Sequence, residues 1–586
     1  MSSKNIIKIV ECLEDLKSEE IKKRAMAVGN LHIIVETFGP EKVRSNLLPF
    51  LKEYEDDEEE VMLELAKQLS TIGQYLQDKI GSGADVIPYY FYVLSYEDSS
   101  VVELGLGSLK RLIKSNSFKT DNLPTLIKRL FTVGYPKALI SASKLICELN
   151  SFIPAKFSNE VNKIITDNAN NKYCPVRKET AIALRELLKE GSGHESLALN
   201  CLKKLVKDNQ DSTRVFALES LVADVHSKTY FMNNVYPIIY SCFGCKSWRC
   251  RYVLAEAMPR ILESAQTNAK KQLIDQYVKM FKDTEPEISM KSLEKLQEAV
   301  IHIDADDVTT KVIPVLKEIV PKSSIETRIA ISSSVLYLAP IIGKNQSTEH
   351  IKEILTHLLK DNDSRIKVEL FKNHKPLAQV LSSSSLINIL NPILKDLITD
   401  KDWKVRDKGL QAYDAYLTKL GEDYCSSETV LENIKTLMLD RIFAVRKSAI
   451  SLVKNLCTKF GIKWTEKYGL DLLTGFVKHP FYIYRLNYVF GIKAIASLLS
   501  VKRLNGEIET LTKMSKDGVA NVRFNSLMAL LAIYNNTSDK DLEDRIVKLS
   551  KYLEKDQDAD IKRTVGELSA SPELKENVRR LVEEVC

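Results

Sequence analysis

The sequence predicts an all-α fold, a solenoid of about 15 helix–turn–helix units of about 39 residues each, and three observations predict it. The first is a basic residue, usually behind an apolar one, that recurs in steps of 37 to 40: Arg177, Arg214, Arg251, Ser289, Arg328, Lys367, Arg406, Arg446, Arg485, Arg523 and Lys562, where Ser289 alone breaks the chemistry. The second is a proline on the same beat. Pro49 and Pro88 lie 39 apart, and Pro237, Pro314 and Pro392 each stand 14 residues before a rung of the first series. The third is continuity: the 586 residues contain only 21 glycines, and no long Gly/Ser/Pro-rich linker divides them. A unit repeated at this period cannot bury its apolar faces alone, so stability lies in nearest-neighbour stacking.

Residues 389–420 show how one unit is built. Ile393, Leu394 and Leu397 recur at helical spacing and form a first helix, with Pro392 at an early position where a missing N–H costs least. Asp400-Lys401-Asp402 interrupts the pattern and supplies side-chain caps. Val405, Leu410, Tyr413 and Leu417 then form the apolar stripe of a second helix. The same plan fits 47–72, 235–263 and 312–343. The repeated basic residue reads either as a solvated surface residue or as a ladder, paired with an acidic turn residue of its own or the next unit. Candidate pairs are Asp211/Arg214, Asp363/Lys367, Asp402/Arg406 and Asp558/Lys562. Some stretches depart from the plan. Ala138 takes a rung position, 188–195 carries two glycines, 53–60 is an acidic turn expected at the surface, and 381–386 (LSSSSL) reads as a longer loop.

The totals narrow the function. Eighty-four basic and 78 acidic residues leave +6, a small excess for so long a chain, which argues against nucleic acid as the main partner. The opening residues carry charges inside any apolar run, and Val86–Leu94 is too short for a bilayer, so no membrane partner is expected. Ten mostly isolated cysteines suit a reduced cytoplasmic or nuclear protein. Cys242 and Cys245 form a CxxC without a second close pair, and Cys250 takes the apolar slot before Arg251 and reads as core, so no metal or other cofactor is expected. No phosphate-binding GxxxxGK[ST], no HExxH and no Ser/His/Asp grouping occurs, which predicts a chain that is not an enzyme. His374 and His479 read as surface residues of turns. Trp248 and Trp403 sit in polar turns, where an aromatic beside a charge suits an interface anchor; the alternative is a ring folded back on its own hairpin. Trp464 reads as core.

Several phrases, KSWRCRY (246–252), KDWKVR (401–406), GVANVRFN (518–525), DQDADIK (556–562), GPEKVRSNLLPFL (39–51) and LAPIIGKNQSTEH (338–350), resemble the scaffolding A subunit of protein phosphatase type 2A. They are colinear over nearly the whole chain. The resemblance implies one continuous right-handed α-solenoid of HEAT repeats over 1–586 without catalytic activity, a monomeric scaffold within a heterodimer or heterotrimer. It implies a phosphatase catalytic subunit held by residues 390–586 and an exchangeable regulatory subunit held by residues 1–315. The positions that match the family's catalytic-subunit contacts are Trp403, Lys404, Ile442, Phe443, Tyr482, Arg485 and Val519; those that match its regulatory-subunit contacts are Asp98, Tyr135, Arg177, Lys178, Trp248 and Arg249. Lys404 stands where the family usually has Arg, Phe443 where it has Tyr, Tyr135-Pro136 where it has Trp-Phe, Lys172 where it has an acid, and Ser99 where it has the second acid of a pair. Two other functions compete: an importin-type nuclear-transport adaptor, a class that is generally longer and more acidic, and a nucleic-acid-associated HEAT protein, which the charge balance disfavours.

Overall fold

The computed structural model describes residues 10–569 except 117–120, 190, 224–227, 344–346, 373, 376–390, 418 and 538. The expected loop at 381–386 lies outside the described residues. Those described form helices and no strand. They group into two compact units, Met1–Lys295 and Leu296–Cys586.

Each unit is a stack of helical hairpins. In the first unit the second helices are Ile21–Gly29, Glu59–Ile80, Ser99–Asn116, Pro136–Glu148, Cys174–Leu187, Asp211–Ala223, Trp248–Ser264 and Pro286–Glu294, and consecutive members pack on one another. In the second unit they are Ile325–Ser334, Ser364–Lys372, Trp403–Leu417, Phe443–Trp464, Tyr482–Ile495, Ala520–Thr537 and Ala559–Ser569. The apolar stripe read from the sequence is the core: Val405, Leu410, Tyr413 and Leu417 are buried. So is Trp464, 1% exposed, whose indole N–H donates to Ser426 Oγ at 2.9 Å. The span Ile325–Ile342 is apolar and long enough to cross a membrane, but 56% of it is buried within the fold, as a core helix requires. Gly461, at φ +79°, ψ −169°, ends one second helix and starts the next hairpin with no intervening loop, a conformation that favours glycine.

Pro392 is the second residue of Asn391–Ile398, but three other prolines of the beat do not open their helices. Pro49, Pro237 and Pro314 each follow a π-helical turn, Val43–Leu47, Phe231–Val235 and Val308–Val312, and the chain is already helical before it. A proline inside a helix removes one hydrogen bond and crowds the carbonyl four residues back; a widened π turn absorbs both. At these three positions the marker therefore reports a bulge within the first helix.

The basic series is a ladder, but its partner lies one unit further on. Arg406 Nε and Nη2 donate to Asp440 Oδ2 and Oδ1 at 2.6 and 3.0 Å, while Nη1 donates to Asp400 O (2.8 Å) and Lys401 O (3.1 Å) of its own turn. One guanidinium thus closes its own turn and grips the next. Arg24–Asp57, Arg177–Asp208, Arg251–Asp283 and Arg523–Asp556 repeat the fork. Arg328–Asp361, Lys367–Asp400 and Arg485–Asp517 make single contacts of 2.6, 2.8 and 2.8 Å. The receiving aspartate also shapes its turn, as Asp440 Oδ1 accepts the Ile442 N–H at 2.8 Å. Of the pairs expected from sequence only Asp211/Arg214 forms, at 3.0 Å. Asp402 and Asp558 instead cap Lys404 N and Asp560 N, and Asp363 pairs with Arg365, because an acid at the head of the same helix is placed to accept backbone N–H groups. The acidic turn at 53–60 is mostly exposed as expected, yet its Asp57 takes the fork of Arg24. His374 is buried, not at the surface: Tyr416 packs on its ring and Nδ1 lies 2.7 Å from Phe371 O.

Arg406→Met should cost about 2 kcal/mol, the scale of charge-assisted bonds lost from a partly buried acceptor. Chemical denaturation reads the loss, and hydrogen exchange should quicken at Ile442; unchanged protection there contradicts the ladder. Acid provides a second check. The fork from Arg523 outweighs burial and holds Asp556 below the ordinary carboxylate value. At Asp208 and Asp283 burial works the other way, and the forks of Arg177 and Arg251 still leave them lowered. With folded values depressed, this stabilisation is complete above about pH 4 and is lost as pH falls through the depressed values. Melting temperature should fall more steeply from about pH 5 to about pH 3 in the parent chain than in Arg523→Met.

Candidate interaction surface

The fork fixes a register. The first residue of a second helix stands three before its rung: Trp248 before Arg251, Trp403 before Arg406, Phe443 before Arg446, Tyr482 before Arg485. With the turn closed by Nη1, this residue and the cap before it lie at the bend, outside the packed helix faces.

In the second unit that register carries large apolar side chains in successive hairpins. Trp403 is 38% exposed and Phe443 52%, and Ile442 and Tyr482 are exposed beside them. Phe481, the cap before Tyr482, is 65% exposed and was not singled out from sequence. Its offset, four before the rung, is that of Ile442 and could have found it. Lys404 is exposed, and Val519 is half-buried with its N–H on Asp517 Oδ1 at 2.9 Å. Arg485 is different: Nη1 donates to His479 O and Pro480 O, and Nη2 to Asp517, so its role in the structure is to hold the turn.

In the first unit Tyr135 is 62% exposed at its cap position, and Tyr173, also unread from sequence, is exposed at the equivalent one. Asp98 caps Ser99–Asn116; bonds from the Ser100 and Val101 N–H groups pull its pKa down. Trp248 is half-buried, edge-on to Tyr252 with ring centroids 6.5 Å apart, and the Arg249 guanidinium lies 4.7 Å from its ring. Arg249 is exposed and reaches Asp211 at 3.4 Å. Lys178 lies over Phe216, 4.6 Å from its centroid. Arg177 spends all five donors inside the chain, on Asp208, Asn171 O, Lys172 O and Asn209. Its match to a binding residue therefore falls on a rung of the ladder. Cys242 and Cys250 are buried, and among the described residues no three His, Cys, Asp or Glu side chains gather as metal ligands.

Phe481→Ala should shift stability by no more than about 0.5 kcal/mol, and Phe443→Ala, whose ring lies edge-on to Phe490 and beside Arg446, by about 1 kcal/mol. Trp464→Ala should cost about 3–5 kcal/mol. Denaturant titrations of the three variants separate a presented ring from a packed one.

Residues 201–422 match the family described as PIK3R4-like, middle domain. The chain is 24% identical over 310 residues to the regulatory A subunit of protein phosphatase PP2A from Saccharomyces cerevisiae, 47% of this chain and 46% of that one. It is 26% identical over 266 residues to the protein of the same name in Schizosaccharomyces pombe, covering 42% and 43%. The matches thus span less than half the length of these relatives. Kap121p bound to Ste12p superposes with a TM-score of 0.63 at 14% identity, over 91% of this chain and 57% of that one, which establishes the shared solenoid fold.

Proposed function

We propose that this chain, a HEAT-repeat relative of the A subunits of protein phosphatase 2A, is a non-catalytic scaffold for a serine/threonine phosphatase. The catalytic subunit docks on the turns of residues 390–586, and an exchangeable regulatory subunit docks on those of residues 1–315. The observation that carries the reading is the row Trp403, Ile442/Phe443 and Phe481/Tyr482, exposed rings and branched side chains at one register of successive hairpins. A row of this kind offers several anchors at fixed spacing, and Trp and Tyr are the residues that dominate protein interfaces. The relatives are named as regulatory or scaffold subunits, in keeping with a chain that positions chemistry without performing it. What a scaffold supplies is effective concentration: two partners held on one support meet without diffusing. In this reading Lys404 and Val519 complete the catalytic-subunit contacts, with Arg485 holding the turn beneath them. Asp98, Tyr135, Lys178, Trp248 and Arg249 form the regulatory face, with Arg177 as its internal support. The importin-type alternative has the likeness to Kap121p behind it, and at 14% identity that likeness reaches the fold alone.

Trp403→Ala should weaken capture of the phosphatase catalytic subunit by about 2 kcal/mol, roughly thirtyfold, with helical content unchanged. Trp248→Ala should spare that partner and weaken the regulatory one. Binding titrations beside circular dichroism measure both, and equal capture by the Trp403 variant removes the assignment.

A further inference from the structure

Among the described residues Arg446 is the only Lys, Arg, Asp or Glu that is buried, 5% exposed, and no carboxylate meets it. Of the six rungs from Arg328 to Arg523, the other five reach an aspartate of the following turn. Arg446 keeps the first half of the pattern: Nη1 donates to Asp440 O at 2.9 Å and Arg441 O at 3.0 Å. The second half is missing. The following turn reads Lys478-His479-Pro480, and His479 stands 33 residues on, the spacing that places Asp556 beneath Arg523. Nε is buried without a hydrogen-bond partner, and Nη2 makes none. Aromatic faces lie nearby, with Phe443 and Tyr484 centroids 5.6 and 5.8 Å from the guanidinium carbon. They offset part of the desolvation but supply neither an acceptor nor a counter-charge. His479 itself turns to Phe481 and Tyr484, its Nδ1 accepting the Phe481 N–H at 3.2 Å. Burial, opposed by Tyr484 and Asp440, draws Arg446 below the ordinary arginine value, and at neutral pH it remains a cation.

The vacant edge of this guanidinium is the one that, at Arg406 and Arg523, holds both oxygens of a carboxylate. Beside it lies the exposed ring of Phe443, and the exposed Ile442, Phe481 and Tyr482 stand on its own bend and the following one. Neighbouring rungs thus state which ligand the geometry takes, and these side chains state its setting. We infer that Arg446 Nη2 seats an Asp or Glu side chain of the docked protein, carried on an apolar patch, and that this carboxylate completes from outside the rung the chain leaves open, as Asp517 meets Arg485 through Nη2. The inference rests on the catalytic-subunit docking reading above and names the chemistry of its contact: a charge-assisted bond from Nη2 to a carboxylate, surrounded by ring contacts that exclude water.

The test measures affinity for the phosphatase catalytic subunit, with folding followed by circular dichroism and melting. Arg446→Met should lose about tenfold or more, as when one member of a desolvated charge pair is removed. His479→Asp, which offers an internal carboxylate to the fork, should lose as much while melting higher, and His479→Asn should bind as the parent does. A folded Arg446→Met chain that binds at parental strength overturns the inference. So does an equal loss in the two His479 variants, which places the effect in the missing ring. Should Arg446→Met fail to fold, the comparison of the His479 variants decides alone. A parent chain that captures no catalytic subunit removes the docking reading instead.

Discussion

One planar cation, donating in three directions, sets the geometry on which each stack depends. Its Nη1 holds two carbonyls of its own turn, and its Nε/Nη2 edge holds the aspartate of the next. That aspartate uses one of the same oxygens to order its own turn. The shape of a bend and the spacing to its neighbour are therefore fixed by one side chain. Lys367 shows why arginine prevails. Its ammonium reaches Asp400 Oδ2 alone, a point contact without the fork or the bonds to its own turn. The apolar stripes supply the larger share of stability, but burial is non-directional and does not choose among rotations of one hairpin on the next.

The same constraint explains why the candidate contacts share a register. A rung three residues into a helix places the first residue and its cap at the bend, where neither helix needs them. Such positions can hold Trp403, Phe443, Phe481 or Tyr482 at little cost to folding, because the core is built from other positions. Folding and recognition are thereby divided between two sets of residues. At two of the matched positions, Arg177 and Arg485, the guanidinium groups also bond within the chain.

The period and helix pairing were legible in the sequence because each unit must meet the same chemical need. Partner choice was not. Spacing alone makes Asp402 the natural mate of Arg406, whereas stacking brings Asp440 to it from 34 residues away, and Asp402 is left to cap. Arg24 went unread as a rung for the same reason, since its Asp57 is hidden in an acidic run. The proline beat was visible, but a helix start and a π bulge both tolerate a missing N–H, and sequence does not separate them. Phe481 was missed because one apolar residue before another reads as core. Trp248, read as a grip, has a ring half-covered by its own hairpin.

Breaks in the ladder differ in what they strand. At Ala138 and Ser289 the cation is absent, and Ser289 Oγ still closes its turn by donating to Phe281 O at 2.8 Å. At Arg214 the following turn offers Cys245 and Lys246, and the cation takes Asp211 of its own helix instead. These substitutions leave no buried charge alone. At Arg446 the acceptor is lost and the donor retained, the costly half of the asymmetry, because a desolvated ion without a partner bears its full penalty. Loss of both members would be cheap, as Ser289 shows. A chain that discards the cation at one rung, redirects it at another, and keeps it buried without a carboxylate beside the exposed ring of Phe443 has a reason for the charge that lies outside its own stack.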